Sequence, residues 1–256
     1  MGIACMVLAR DNQALIEDCL RSLSWADELI VLLDDRSSDR TAEIAEALGA
    51  RVEVHRFESF CAQREYGLSL TAQEWLFSVD SDERATEALV GEIRRVTREC
   101  EAVGWWVPRR NFICGHEIRH GGWHPDYQLR LLKLGHAHYD MTREVHEVVE
   151  LDGAEGHLQE PLIHLNYATW SEFRVKQAQY VAFEADILFK QGVRPHPWTY
   201  ILQPLREFCR RYVRLEGYRD GWPGLRLCAA AAYHYGYLVT RQLARRWRIS
   251  ESDSDE

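Results

Sequence analysis

The most distinctive chemical feature of the sequence is a pair of carboxylates two residues apart. Asp80, Ser81 and Asp82 stand at the end of an apolar stretch, EWLFSVD, at residues 74–80. Carboxylate oxygens suit Mg²⁺ or Mn²⁺, which proteins hold partly through the phosphates of a substrate. Such a cation would neutralise a leaving diphosphate. An isolated D-x-D motif is also typical of a solvated acidic turn before a helix. The other acidic clusters of the sequence are therefore needed to distinguish a cation site from such a turn.

A second motif, HEIRH at residues 116–120, matches the H-E-x-x-H pattern of zinc metalloproteases. That pattern works when both histidines lie on one face of a helix and bind the same Zn²⁺. Here glycines stand at 115, 121 and 122, and a proline stands at 125. Glycine and proline interrupt helices, so we expect a polar loop at this place and not a zinc site.

Short apolar runs alternate with helical patterns through the first hundred residues. The apolar runs are IACMVLA (3–9), ELIVLLD (28–34) and EWLFSVD (74–80), and RVEVHRF (51–57) alternates polar and apolar residues like a strand. This alternation predicts an α/β fold with a mostly parallel, doubly wound sheet and helices on both faces. Ligands of such sheets bind beyond the carboxyl ends of the strands. Acidic clusters follow three of the runs, in ARDN (9–12), LDDRSSD (33–39) and VDSDE (79–83).

Length and cysteine content limit the class of protein. A chain of 256 residues fits one large domain or a domain with an appendage. The seven cysteines include no C-x-x-C pair, and their number is odd. This indicates reduced thiols in a cytoplasmic protein rather than a disulfide framework. The N-terminal MGIACMVLAR has no basic segment followed by a long apolar one, so we expect no signal peptide.

Charge is distributed unevenly along the chain. Residues 190–249 carry twelve basic and three acidic side chains, a net charge of +9, and the rest of the chain carries −18. Arginines cluster at 206, 210, 211 and 214 and again at 241, 245, 246 and 248. This favours contact with something anionic, such as the surface of a membrane, over a solvated helix face or a dimer contact. The last residues, SESDSDE (250–256), predict a disordered acidic tail.

Taken together, these stretches resemble the inverting glycosyltransferases of family 2, and most closely a subgroup that builds the lipopolysaccharide core and includes β-1,4-glucosyltransferase-like enzymes. The resemblance covers residues 3–248 and depends on the order and spacing of its parts. They are MVLARDN (6–12), ADELIVLLDDRSSDRTAEIA (26–45), FCAQREYGL (60–68), EWLFSVDSDE (74–83), GGWHPDYQLRLLKLG (121–135), VHEVVE (145–150) and GYRDGWPGL (217–225).

The resemblance implies a nucleotide-diphospho-sugar-binding fold of the A type and a donor such as a UDP-hexose, with UDP-glucose the first candidate. The positions that carry over to donor binding are Ala9, Asp11, Asp34, Gln63, Arg64, Asp80, Ser81, Asp82, Trp123 and Arg130. A divalent cation, Mg²⁺ or Mn²⁺, would be bound by Asp82, with Asp80 and His146 as further ligands. Two departures, Asp11-Asn12 for the usual Asn-Glu and Asp35-Arg36 for Ser-Gly, affect the fine contacts to the nucleotide.

An inverting transfer needs one base to deprotonate the acceptor hydroxyl while the diphosphate leaves from the opposite face. Glu147 and Asp126 are the two candidates, and we prefer Glu147 because many relatives place a Glu-Asp motif there. Arg130 would pair with the diphosphate or hold one of these carboxylates. Trp123, in the glycine-rich loop, would stack on a sugar.

The predicted organisation has three parts. Residues 1–165 form the transferase domain, divided into a nucleotide-sugar half (1–103) and an acceptor half (104–165). Residues 166–249 form a basic helical extension, and 250–256 form the tail. The acceptor would be a glycolipid or polysaccharide of the cell envelope. We expect a cytoplasmic protein with peripheral membrane contact and no nucleic-acid partner.

Three other functions remain as alternatives. A non-catalytic sugar-nucleotide or glycan-binding protein of the same fold would show damage at Asp80, Asp82 or the base, and all are intact. A nucleotidyltransferase would carry a glycine-rich basic loop after the first strand, which this sequence lacks. A metalloprotease would use His116 and His120, which the surrounding glycines disfavour.

Overall fold

A computed structural model describes residues 2–99, 101–139 and 149–254. The candidate residues His146 and Glu147 lie outside the described residues. The chain divides into two compact units. The first comprises Met1–Arg110 and Asp126–His164, and the second comprises Asn111–Pro125 and Leu165–Glu256. The loop between residues 111 and 125 is therefore grouped with the C-terminal helices, whereas the sequence placed it within the acceptor half.

The elements follow in chain order. The first ten are β1 (Ile3–Ala9), α1 (Ile16–Ser22), β2 (Glu28–Asp34), α2 (Thr41–Ala47), β3 (Arg51–His55), α3 (Phe60–Leu68), β4 (Trp75–Asp80), β5 (Glu83–Arg84), α4 (Glu87–Glu99) and β6 (Gly104–Ile113). The others are β7 (His116–Ile118), β8 (Tyr127–Lys133), β9 (Ala137–Tyr139), β10 (Val149–Leu151), β11 (Glu155–His157), β12 (Leu162–Tyr167), α5 (Trp170–Lys190), α6 (Thr199–Cys209), α7 (Gly221–Ala231) and α8 (Val239–Ser254).

The main sheet has the strand order β3-β2-β1-β4-β8-β6-β12-β5. Strands β3, β2, β1 and β4 are parallel, as the strand–helix alternation predicts. Beyond β4 the direction changes, because β8 runs antiparallel to β4 and to β6. A parallel nucleus with antiparallel strands on one side is a mixed sheet, a common outcome for a large α/β fold.

Helices cover both faces of the parallel nucleus. Alternate residues of β1 point to opposite faces: Cys5 and Val7 belong to one apolar cluster, and Ala4 and Met6 belong to another. Helices α1, α2 and α4 contribute to the first cluster, whereas α3 packs on the second. Strands β1, β2 and β4 are buried on both sides, which explains why their sequences are continuous apolar runs. Strand β3, at the edge of the sheet, is partly exposed and its residues alternate.

The second unit is mainly helical and is built around its own clusters. One includes Ile113, Ile118, Phe173 and Leu227, and another joins α5 and α8 through residues such as Val181. Helices α6 and α7 each continue into a π-helical segment, Arg210–Arg214 and Ala232–Leu238. Helix α8 ends at Ser254, inside the segment predicted as a disordered tail. No helix of the described chain is long and apolar enough to span a membrane.

Candidate functional site

The carboxyl ends of three parallel strands lie side by side at one edge of the sheet. Leu8 of β1 is opposite Asp80 of β4, and Ala9 is opposite Leu33, the residue before Asp34 at the end of β2. The order of the strands reverses between β1 and β4, where doubly wound sheets bind their ligands. The three acidic clusters therefore gather at the edge that the sequence predicts.

The loops after β1 and β2 are joined by a set of hydrogen bonds. Asp11, at a positive φ of 49°, accepts a bond from Ser38 N at 2.8 Å, and its own amide donates to Ser37 Oγ at 3.1 Å. Asp39 accepts from Gln13 N at 2.8 Å. A left-handed conformation is tolerated best by Gly, Asn and Asp. Asp11 therefore joins the loop after β1 to the loop after β2, through both its left-handed backbone and its carboxylate.

Asp34 is buried beneath the same rim and is paired with an arginine. Arg36 Nε and Nη2 donate to its two carboxylate oxygens at 2.9 and 2.7 Å, and Arg36 N donates at 2.9 Å. These bonds from Arg36 lower the pKa of the Asp34 carboxyl to about 2. Asp34 is therefore an ionised acceptor at the end of β2.

Gln63 and Arg64 of α3 are both buried but have different partners. The Gln63 amide bonds to His55 of β3, through Nδ1 at 3.0 Å and the carbonyl oxygen at 3.2 Å. Arg64 Nη1 donates to Ser78 Oγ at 2.6 Å, and Nη2 donates to Asp80 Oδ1 at 2.8 Å. Of the two, Arg64 is the residue that directly supports the D-x-D turn.

Asp80 lies between two arginine side chains. Arg130, from β8, donates to Asp80 Oδ2, while Arg64 holds Oδ1. Burial favours the neutral form of the carboxyl, but the guanidinium groups of Arg130 and Arg64 outweigh it and hold the pKa of Asp80 well below its usual range. Asp80 is thus a fixed negative charge whose two oxygens already accept from arginines.

The charges continue beyond Asp80 as an alternating network. Glu83, fully buried, accepts from Arg130 Nη2 at 2.9 Å and from Arg109 Nη1 at 3.2 Å, and its other oxygen accepts from Asp80 N at 2.9 Å. Arg109 in turn binds Asp126 Oδ2 through Nε at 2.9 Å and Nη2 at 2.7 Å. Each buried charge has at least one opposite charge beside it, as burial requires.

Asp82 differs from Asp80 in its surroundings. Its side chain is 22% exposed, and Oδ2 lies 3.6 Å from His164 Nε2 of β12. No guanidinium group of the described chain forms an ion pair with it. Ser81 between them is buried, and its carbonyl oxygen accepts from Arg84 Nη1 at 2.8 Å. The carboxylate of Asp80 is therefore bound by two arginines, whereas that of Asp82 remains accessible to a ligand.

The HEIRH segment does not form a helix. Its first three residues are strand β7, paired with Asn111–Ile113 of β6, so the i, i+4 geometry of a zinc-binding helix is not formed. His120 Nδ1 lies 2.8 Å from Asp220 Oδ1, and His120 N donates to Oδ2 of the same carboxylate at 2.8 Å. The flanking glycines correctly excluded a helix, but the polar loop expected from the sequence is in part a strand, and the segment belongs to the second unit.

Trp123 also belongs to the second unit. Its indole is partly buried against the cluster that contains Ile113 and Phe173, and its carbonyl oxygen accepts from Asn111 Nδ2 at 2.9 Å. Its role as a sugar-stacking side chain stays a prediction.

Three members of the site were not predicted from the sequence: Glu83, Arg109 and His164. Arg109 could have been found, because it shares the face of β6 that includes the fully buried Val107. A charged residue on a buried strand face needs an ionic partner nearby. Glu83 is part of the acidic cluster VDSDE, but nothing in the sequence indicates its burial between Arg109 and Arg130. His164 had no signal in the sequence, because only the pairing of β12 with β5 brings it to the site.

Comparison with known proteins identifies sequence relatives of this chain. The family model for "Glycosyl transferase family 2" matches residues 6–143. The lipopolysaccharide core biosynthesis glycosyltransferase LpsC of Rhizobium meliloti (strain 1021) is 26% identical over 253 residues, which cover 96% of this chain and 93% of that protein. An uncharacterized glycosyltransferase of Rickettsia bellii (strain RML369-C) is 27% identical over 94 residues, or 37% of this chain and 32% of that protein.

Solved structures give shorter matches. Glucosyl-3-phosphoglycerate synthase from Mycobacterium tuberculosis, in complex with Mn²⁺, UDP and glucosyl-3-phosphoglycerate, is 25% identical and has a TM-score of 0.38. The match covers 43% of this chain and 44% of that chain, so it spans less than half of either protein. The family model, in contrast, spans more than half of this chain, which is therefore a member of glycosyl transferase family 2 and a glycosyltransferase.

Proposed function

We propose that this glycosyltransferase moves a hexose from a nucleoside diphosphate onto a lipopolysaccharide-core acceptor with inversion at the sugar carbon, and that it uses a divalent cation. UDP-glucose is the proposed donor. The observation that carries the proposal is the asymmetry of the D-x-D pair: Asp80 is held by two arginines, whereas Asp82 is open at the ligand edge of the sheet. The acceptor class is supported by the similarity to LpsC along nearly the whole chain.

Among the described residues no group of three or more His, Cys, Asp or Glu side chains forms a complete metal site, so a divalent cation at this edge would depend on Asp82 together with the phosphates of the donor. Asp82 supplies a carboxylate oxygen without a guanidinium partner among the described residues, and such oxygens are preferred ligands of Mg²⁺ and Mn²⁺. His146, outside the described residues, remains a proposed further ligand. Asp80 would contribute through its negative charge. The cation, when bound, neutralises charge on the leaving diphosphate.

Residues at the same edge of the sheet would bind the nucleotide and the diphosphate of the donor. Asp34 is an ionised acceptor at the end of β2, suited to the N–H groups of a nucleotide base. Asp11 and its loop would border the nucleotide, with Ala9 at the end of β1 beneath it. Arg64 and Arg130 carry two positive charges to the D-x-D turn, where they fix Asp80 and would attract the diphosphate.

For the base we propose Glu147, which would accept the proton of the acceptor hydroxyl as that oxygen attacks the sugar carbon and UDP leaves from the other side. Asp126 remains the alternative. Its two carboxylate oxygens accept from Arg109 and from Gln128 Nε2 at 3.0 Å, which supports a positioning role for this residue.

A phosphorylated, membrane-associated acceptor would account for the basic C-terminal residues. A groove of about 590 Å³ in the second unit is lined by Arg241, Arg245 and Arg248 together with apolar side chains that include Val181 and Leu238. Guanidinium groups are well suited to binding phosphate oxygens. We propose that the enzyme works in the cytoplasm, at the surface of the membrane that holds its acceptor.

The first experiment is isothermal titration with UDP, in the presence of Mn²⁺ and then of EDTA, on the wild type and on Asp82→Ala. We expect binding that requires the cation and is lost in the variant. UDP-hexoses follow in a transfer assay with lipopolysaccharide-core acceptors, and proton NMR of the product reports the anomeric configuration. A wild type that binds no nucleoside diphosphate, with or without a cation, would contradict the proposal.

A further inference from the structure

Exposed apolar side chains are concentrated in the second unit. Among the described residues, the first unit exposes only Val54 and Phe60 of the large apolar side chains that the structure leaves open to solvent. The second unit exposes the others, and the most prominent group belongs to one helix and its flanks. Large exposed apolar patches on a protein surface mark sites of interaction with proteins or membranes.

This group forms a stripe along α6. Trp198, Ile201, Leu205, Cys209 and Val213 follow each other at intervals of three or four residues, which places them on one side of a helix. Trp198 is 59% exposed, Ile201 72%, Leu205 56% and Val213 62%. Leu202, beside Ile201, is also exposed. We call this set of six residues the α6 stripe.

The opposite side of α6 is fixed against the second unit. A Cβ on Gly236, in the π-helical segment after α7, would lie 2.5 Å from Pro204 Cα, so the two backbones are in close contact there. The rings of Tyr200 and Tyr237 also meet, with centroids 6.1 Å apart. The helix therefore has a packed side and a free side, and the α6 stripe is the free side.

Arginines border the stripe. Arg206, Arg210 and Arg214 follow at intervals of four residues on the adjacent side of the same helix. Arg210 is paired with Glu207, but Arg206 and Arg214 are exposed and form no ion pair with a described residue. An apolar face with a tryptophan at one end and arginines along its margin is typical of helices that lie in the interface of an anionic membrane.

We propose that the α6 stripe is a membrane-docking surface for anionic lipid, with the stripe inserted among the acyl chains and Arg206 and Arg214 at the phosphate level. This deepens the membrane contact of the proposed function and depends on it. A second copy of the chain is a poorer occupant, because a symmetric contact places the same patch on both subunits and brings their arginines together.

The test is flotation with two kinds of vesicle, one of phosphatidylcholine alone and one of equimolar phosphatidylcholine and phosphatidylglycerol. We expect the wild type to float with the second kind at low salt and less so as salt rises. Replacing Ile201 and Leu205 by Gln should weaken binding by about tenfold or more for each residue. Replacing Arg206 and Arg214 by Gln should weaken it by about fivefold each.

The matched control is Val175→Gln. This apolar residue also belongs to the second unit and is 61% exposed, but it is on α5 and not on α6. The control should float like the wild type. Equal losses in the control and in the Ile201/Leu205 variant, or no loss in either, would overturn the assignment of the stripe. So would a change from dimer to monomer in the stripe variant on size-exclusion chromatography.

A second measurement reports the position of the stripe directly. Cys209 is an exposed cysteine within it. An environment-sensitive maleimide at Cys209 should shift its emission to the blue with anionic vesicles, and a Cys209→Ser preparation should lose that shift. A label that stays in water while the protein floats would place the membrane contact elsewhere. Titration with UDP on the same variants separates the two proposals, because it tests the donor site independently of vesicles.

Discussion

Arg109 holds the carboxylate of Asp126 through two of its nitrogens, with Nε and Nη2 2.9 and 2.7 Å from the same oxygen. The same guanidinium reaches the fully buried Glu83 at 3.2 Å. Asp126 is therefore the outer end of an ionic network that leads inward to the D-x-D turn. Because of this relationship, we propose that Asp126 positions Arg109 and that Glu147 is the general base.

Glu147→Gln should lower kcat by about 10² to 10⁴-fold, the contribution of a general base, and leave the affinity for UDP unchanged. Asp126→Asn should keep measurable turnover but lower the free energy of unfolding by about 1–3 kcal/mol, because Arg109 loses a charged acceptor. Transfer assays and urea unfolding on both variants check this. If Asp126→Asn removes turnover at unchanged stability while Glu147→Gln remains active, the two roles must be exchanged.

The two carboxylates of the D-x-D pair should respond differently to loss of charge. Asp82→Asn should abolish the Mn²⁺-dependent part of UDP binding with little change in unfolding, because Asp82 has no arginine partner among the described residues. Asp80→Asn should lower the free energy of unfolding by about 3–5 kcal/mol, because it removes the carboxylate charge that the buried guanidinium groups of Arg64 and Arg130 share. Calorimetry and chemical unfolding separate the two effects. Equal destabilisation by both substitutions would contradict the assignment.

Glu83→Gln should be among the most destabilising single substitutions at the site. Glu83 is fully buried, and its oxygens accept from Arg109, Arg130 and the amide of Asp80. Removing its charge should cost about 3–5 kcal/mol in the free energy of unfolding. The control is Glu46→Gln, an exposed glutamate at the end of α2, which should change stability by less than about 0.5 kcal/mol. A small effect at Glu83 would mean that solvent reaches the network.

Acid should remove a contribution to stability that comes from Asp34. Its pKa is about 2 in the folded protein, below its ordinary value of 3.8, so the ionised form is favoured by folding. The contribution is complete above about pH 5 and declines as the pH falls from about 4 towards 2. The difference in unfolding free energy between wild type and Asp34→Asn should therefore be constant near neutrality and shrink in that window. A difference that stays constant down to pH 2 would show that the pair with Arg36 does not persist in solution.

The parallel nucleus and its ligand edge could be predicted from the sequence. Strands β1, β2 and β4 are buried on both faces, so each is a continuous apolar run, whereas β3 at the edge of the sheet alternates polar and apolar residues; helices separate all four. The end of each apolar run marks the end of a strand, and parallel strands end at the same edge of a sheet, so the sequence alone places Asp34 and Asp80 at one edge.

Two features could be read from the sequence only in part. The glycines around HEIRH excluded a helix, but the partner of His120, Asp220, is 100 residues further along the chain. The arginines of α6 were visible as a basic cluster. The sequence did not show that these arginines border an exposed apolar stripe, because the same apolar residues would also suit a buried helix. Only the tertiary structure shows that α6 packs through Pro204 on Gly236 and leaves the apolar side exposed.

What the sequence determined by itself was therefore the local part: which segments form strands and helices, where the strands end, and which carboxylates stand at those ends. Tertiary structure decided how those carboxylates differ. Asp80 and Asp82 are two residues apart and chemically identical, yet Arg64 from α3 and Arg130 from β8 converge on the first and leave the second open. The physical reason is that the state of a charged group depends on its distance in space from other charges. Folding sets that distance, and the separation of the residues along the chain does not reveal it.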